Sequence, residues 1–547
     1  LPNVVVGNGA SNNTVTVGVS TSLNNLNVNI GATISLGIRT LTINGFFTNN
    51  GVVTGTSGRL TTFTGASTNN GSINLTSGRI TLTTGSFTNN GSISMLTGRL
   101  IQTTGSIINS ATGTISFSGT GTITFGTGNF INLNTSASVN FGSSAITITG
   151  TAVSQSIGGF TTTGTVSMTK ASGTVTFTGN VSGNNLTING TAGTLNLGAG
   201  LTHTFTGTWT RTRGVLNGGS SVLRIGGNIS GTGGTFSAGS GTVEYNRNAN
   251  QTCAAITYNN LILSGIGTRT FATTPTVNGV LSLEGTTTVT VTTGAVTYGA
   301  AATLQYNKPA AYTATLEEWP ATFSGSGGII IINTGVITLG AIKNVTNNFS
   351  IATGASVNLG TFTHTAGTLS IGGSGVSAGT WGSTSSTATN QNNTYFAGTG
   401  IITVTNSSCA LPVITTQPQP QTICENTGGS FTVSISAGTP TYQWQRSNDL
   451  VTWANIDASM SANFSGYTSA ALMVLNAPIS WGNQYSIRCL VSSVFNCTVA
   501  SAPALLTVVS TPNVPAIGTV TPLTCALPSA SVALSGLPTG SWTITMN

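Results

Sequence analysis

A four-residue block returns at a fixed interval. Thr48-Asn49-Asn50-Gly51, Thr68-Asn69-Asn70-Gly71 and Thr88-Asn89-Asn90-Gly91 lie 20 residues apart. Arg39, Arg59, Arg79 and Arg99 keep that step, and so do Gly45, Gly65, Gly85 and Gly105. Between these markers apolar and hydroxyl residues alternate with period two, as in Arg79-Ile80-Thr81-Leu82-Thr83. That alternation is the pattern of a half-buried strand. A 20-residue unit cannot close a core alone, so each unit must stack on its neighbours. The expected architecture is all-β: a parallel β-helix or β-solenoid with two short strands and two turns per coil. Residues 1–405 form this solenoid, clearest over 37–110. Later phrases keep the style without the strict step, such as Gly121-Thr122-Ile123-Thr124-Phe125 and Leu186-Thr187-Ile188-Asn189-Gly190.

Residue types follow from the stacking. Ile, Val, Leu and Phe at alternate positions point inward and form columns, while Thr and Ser face out. Asn-Gly at the corners is expected to supply positive φ, and Asn50, Asn70 and Asn90 are expected to stack as an amide ladder. The arginine column places like charges one rung apart, about 4.8 Å. It reads either as a solvated edge that discourages lateral association or as a stripe that binds anionic glycan or phosphate. With one rung per 20 residues, 400 residues would give a rod of very roughly 95 Å.

Only 4% of the residues are charged, where soluble domains carry roughly 25%. Hydroxyls and amides therefore keep the chain wet. Disorder is excluded by the abundance of β-branched residues. No apolar run approaches the ~18 residues of a membrane helix. The net charge is +7, yet twelve cations spread over 400 residues are a sparse field, which argues against nucleic acid.

Residues 1–243 contain no carboxylate. Glycoside hydrolysis needs a pair of them, and calcium sites need several oxygen ligands. The adjacent acids Glu317 and Glu318 would point to opposite faces of a strand and read as structural or turn residues. His203 and His364 are 161 residues apart, and Cys253 reads as a buried, inert thiol. The expectation is no catalytic residue, no metal and no cofactor.

Composition changes near residue 405. Residues 406–421, with Thr416-Gln417-Pro418-Gln419-Pro420, read as a stiff linker. Residues 422–509 resemble a bacterial immunoglobulin-like sandwich. Trp444 takes the place of its buried tryptophan, and Cys489 lies on the inner face of a later strand. Cys424–Cys489 is the favoured disulfide, with Cys497 an equally available partner. Trp453 reads either as an exposed loop residue or as a packing one. Residues 510–547 read as the start of a further β module in a longer protein, secreted behind a removed leader.

The phrases Gly241-Thr242-Val243-Glu244-Tyr245-Asn246 and Tyr258-Asn259-Asn260-Leu261-Ile262-Leu263 resemble repeats of very large Bacteroidetes surface adhesins. Gly379-Thr380-Trp381-Gly382 with Tyr395-Phe396-Ala397-Gly398 resembles their closing rungs. Cys525-Ala526-Leu527-Pro528 with Leu534-Ser535-Gly536-Leu537-Pro538 resembles modules of gliding-motility adhesins of the SprB type. The resemblance implies type IX secretion and display at the outer membrane. It also implies partners among surface glycans, other extracellular components, or the secretion and motility machinery. The expected function is a non-catalytic adhesin or surface-fibre component. The alternatives are a carbohydrate-binding or carbohydrate-active β-helix protein and an ice-binding solenoid. The last is suggested by Thr40-Leu41-Thr42, Thr81-Leu82-Thr83 and Thr122-Ile123-Thr124.

Overall fold

The computed structural model describes residues 1–8, 12–62, 64–376, 378–407, 412–436, 440–482, 485–492, 498–511, 514–522, 525, 529–537 and 543. Two compact units divide the chain: Leu1–Gly373 with Ser377–Asn406, and Ser407–Asn547 with three residues, 374–376.

The first unit is a parallel β-solenoid of about 18 turns. Each coil has three strands, not the two expected. In one coil these are Ser67–Asn69, Ser72–Leu75 and Arg79–Leu82. Thr68 and Asn69 belong to a strand, and only Asn70-Gly71 makes the corner. The sequence block therefore looks like a single turn although half of it is extended. Each strand pairs in parallel with its equivalents one coil before and one coil after.

Inward positions build the core. Leu41, Leu60, Ile80, Leu100, Ile123 and Ile146 stand in one register and all are buried. Each such side chain contributes about 1.5–3 kcal/mol relative to exposure. Further along, the core turns aromatic: Phe125 and Phe130 lie 5.1 Å apart between ring centroids, and Phe141 and Phe160 lie 5.5 Å apart. The coil persists where the strict period fails. On one face the strands begin at Thr202, Val222, Thr242, Asn260, Val280, Thr303 and Gly328, giving steps of 20, 20, 18, 20, 23 and 25 residues. Corners absorb the variation while the strands keep register.

The corner glycines serve a purpose different from the one expected. Gly51, Gly71 and Gly91 do not have positive φ. A Cβ on Gly71 would instead lie 2.0 Å from the carbonyl oxygen of Gly51, and one on Gly91 2.0 Å from that of Gly71. Glycine is required because successive corners press backbone on backbone.

At the far end, Ile401–Val404 pairs in parallel with Thr363–Ala366 on one side and antiparallel with Gly379–Gly382 on the other. Beyond Gly379–Gly382, among the described residues, only Asn390–Gln391 continue the ladder.

In the second unit two sheets share one core. One contains Gln421–Cys424, Ala504–Val509, Tyr485–Ser492, Thr441–Ser447 and Ala454–Asn455; the other contains Gly429–Thr432, Ala471–Val474 and Phe464–Ser465. Trp444, Phe431, Phe464, Leu472, Ile487 and Leu506 pack between them. Ile414–Thr416 pairs with Ser434–Ile435, so part of the expected linker belongs to this module. Ala516–Thr521 and Ser531–Ser535 form a separate antiparallel hairpin.

The expected Cys424–Cys489 bridge does not form: both thiols are free. Cys424 is level with Val509, whereas Ile487 is level with Ala504 and Cys489 lies two residues further from Val509. Seven residues of extended strand separate the two levels, about 23 Å. A disulfide spans at most ~7 Å between Cα atoms. Burial pushes the Cys489 thiol up to about 12. Cys409 and Cys497 lie outside the described residues.

Candidate functional site

The repeat places three arginines in one column. Arg59, Arg79 and Arg99 pair directly, and Thr122 follows on the next rung. Arg39 is not the fourth member. The strand Thr40–Ile43 pairs so that Thr40 faces Arg59, and Arg39 sits at the corner before it, accepting from the Arg59 amide through its carbonyl at 2.8 Å. Equal spacing in sequence is thus not equal register. The three side chains border an open groove of about 490 Å³, walled by Ser57, Ser77, Thr97 and Thr120.

These guanidinium groups have no partner among the described residues. Among the described residues, Arg59, Arg79 and Arg99 make no side-chain hydrogen bond or ion pair, and the Arg79 Nε is buried without an acceptor. Of the seven arginines that follow, six are hydrogen-bonded, and the seventh, Arg446, stacks on a ring with its Nε also lacking an acceptor. Arg224 donates to Glu244 at 2.8 Å, Arg211 to the Gly234 carbonyl at 3.2 Å, Arg213 to Asn189 at 3.3 Å and Arg247 to Asn228 at 3.1 Å. Arg488 donates to Gln445 at 2.9 Å and covers the Trp453 ring, while Arg446 lies over Tyr485. Arg269, fully buried, donates to the carbonyls of Tyr245, Ala249, Ile266, Arg247 and Ser264.

Two amide ladders flank the first corner. Asn70 donates to Asn50 at 2.7 Å and Asn90 to Asn70 at 2.8 Å, the exposed ladder expected from the sequence. A second ladder is buried: Asn49 donates to Asn69, Asn69 to Asn89, Asn89 to Asn109 and Asn109 to Asn132, at 2.7–3.0 Å. Its members also donate to backbone carbonyls, Asn69 to that of Ser92 at 3.1 Å. The first Asn of each Asn-Asn pair carried this signal.

Each carboxylate is held by donors of the chain. Glu244 takes Arg224 and Ser264, Glu284 takes Ser282, and Glu317 takes the Val291 amide at 2.8 Å. Glu425 accepts from Thr511, Asp449 from the Val451 and Thr452 amides, and Asp457 from Ser459. Glu317 and Glu318 lie in a turn rather than a strand. Glu318 is fully buried. The Thr315 amide and hydroxyl, Tyr306 and Tyr312 all donate to it, which opposes the upward push of burial on its carboxyl. Lys308 and Lys343, also buried, donate to the carbonyls of Thr287 and Trp319, and burial lowers each to about 8. These buried cations tie down corner carbonyls, as the amides of Gln155 and Gln251 do elsewhere.

The two histidines do the same work in separate coils. His203 Nδ1 accepts from the Val181 amide at 3.2 Å and Nε2 donates to the Leu197 carbonyl at 2.8 Å. His364 bridges the Lys343 amide and the Leu359 carbonyl. Burial lowers both, His203 to about 4. No group of three His, Cys, Asp or Glu among the described residues is placed to hold a metal. Trp444 is buried opposite Cys489, and its Nε1 donates to the Ser469 carbonyl at 2.8 Å. The inner positions of the Thr-x-Thr phrases align as Thr42, Thr61, Thr81, Ile101 and Thr124, but the outer column runs Thr40, Arg59, Arg79, Arg99, Thr122.

The stacked coils define the class: a parallel β-solenoid repeat protein joined to a two-sheet module. Residues 413–510 match a family described as a domain of unknown function, DUF8696. No curated protein matches the chain. Among solved structures, the Duf (Kirre) D1 domain is similar at 16% identity, covering 18% of this chain and 98% of that one, with a TM-score of 0.15. The Rst D1-D2 structure is similar at 17% identity, covering 20% of this chain and 53% of that one, also at 0.15.

Proposed function

We propose that this protein is a non-catalytic, secreted cell-surface adhesin or surface-fibre component. The observation that carries this reading is the commitment of its chemistry. Every carboxylate is engaged in holding the fold, while columns of hydroxyls, amides and arginines repeat outward, rung over rung. Such a surface offers many weak, evenly spaced contacts, the condition for avidity. The two-sheet module supports an immunoglobulin-like reading, since Trp444 and Cys489 face each other in its core. In this reading it is one of several modules, exported by type IX secretion and displayed at the outer membrane, where attachment also serves gliding.

The test uses the full chain coated on beads. Saturable attachment to bacterial or host surfaces, with no new reducing ends released from any polysaccharide supplied, is the expected result. Release of reducing ends would transfer the protein to the carbohydrate-active class.

A further inference from the structure

We infer that the groove over Arg59, Arg79 and Arg99 binds a linear anionic polysaccharide lying along the solenoid axis. This rests on the adhesive reading above and names its ligand class. Three like charges at successive rungs, about 4.8 Å apart, repel one another. Six other arginines of this chain are hydrogen-bonded or ion-paired, so three unpartnered ones side by side form a site open to an external anion. Guanidinium groups recognise oxyanions through paired donors. A column, as opposed to a converging pocket, suits a ligand whose charges also repeat.

The walls narrow the class. Ser57, Ser77, Thr97 and Thr120 line the groove, offering hydroxyls to sugar hydroxyls. Among the described residues the lining contains no aromatic side chain. Single-stranded nucleic acid relies on aromatic stacking for its bases, so the groove favours a glycan. Sulfate esters and uronate carboxylates share the required chemistry. Arg39, outside the column, takes no part.

The experiment measures binding of the full chain to dextran sulfate, to polygalacturonate and to neutral dextran, with oligo-dT as the nucleic-acid arm. Expected is saturable binding to one or both charged polysaccharides and none to neutral dextran. Raising salt from 50 to 200 mM should weaken it roughly twentyfold or more, as release of counterions by three cations requires. The triple variant Arg59→Gln, Arg79→Gln, Arg99→Gln should lose at least tenfold in affinity, whereas Arg39→Gln should match the parent. Both variants should keep the parent's circular-dichroism melt, because the side chains hold nothing else. Unchanged binding by the triple variant overturns the inference, and so does binding to neither charged polysaccharide or tighter binding to oligo-dT. Cell attachment by the beads that survives such a failure leaves the adhesive reading standing. Polysaccharide binding without cell attachment removes that reading and keeps the groove.

Discussion

Replacing Asn69 by alanine should be far more damaging than the same change at its neighbour Asn70. Asn69 is fully buried, accepts from Asn49 at 2.7 Å, and donates to Asn89 at 2.8 Å and to the Ser92 carbonyl at 3.1 Å. Alanine leaves one buried donor and two buried acceptors without partners. Each such group costs about 1–3 kcal/mol. Carbonyl oxygens keep a second lone pair, so the lower end applies, and the total is about 3–5 kcal/mol. Asn70 also lies in a ladder, donating to Asn50 and accepting from Asn90. It is exposed, however, and water replaces the lost contacts, at a cost of no more than about 1 kcal/mol. A solenoid can open locally, so a global melt would dilute the difference. Native-state hydrogen exchange over residues 60–100 resolves it. At ~1.4 kcal/mol per tenfold, amide protection around Asn69→Ala should fall more than a hundredfold, and around Asn70→Ala less than about fivefold. Equal losses at the two positions would refute the argument that burial separates the ladders.

Gly71→Ala should open the coil at that corner. Its Cβ would meet the Gly51 carbonyl oxygen at 2.0 Å, and proteolysis within residues 50–90 should become rapid. The folded His203 sits near 4, and the unfolded value is about 6.5. The neutral ring is thus the folded form, its stability is fully present above pH 6.5 and is lost as pH falls toward 4, about 3 kcal/mol in all. Unfolding at pH 7 and pH 4.5 should show that loss, and His203→Gln should reduce it, leaving the part that His364 contributes. Alkylation of unreduced, denatured protein should label both Cys424 and Cys489, and mass spectrometry of a peptide joining them would contradict the strand register.

The period was legible because it repeats three kinds of residue at once, and period-two alternation is a strong strand signal. The third face was not, because Thr68-Asn69 is extended while looking like a turn. Register escaped for a related reason: equal spacing placed Arg39 with Arg59, whereas the strand Thr40–Ile43 enters one position later. The buried partners of Arg269, Lys308 and Lys343 were unreadable, since each reaches carbonyls roughly one coil away that carry no side-chain signature. Glycine at the corners was read correctly as obligatory but for the wrong reason, because rung-to-rung contact is invisible to local dihedral preference. Of the candidate groove, the sequence supplied its three arginines; it could not show that six later arginines are hydrogen-bonded within the chain.

The reversed strand Gly379–Gly382 determines how a chain of this kind can change in length. A parallel coil is a template for another of the same sense, and an exposed last coil would recruit strands from neighbouring molecules. Antiparallel pairing spaces its hydrogen bonds differently, so the terminus no longer copies itself. Coils can be gained or lost upstream, each touching only its neighbours, while the reversed strand at this end stays the same.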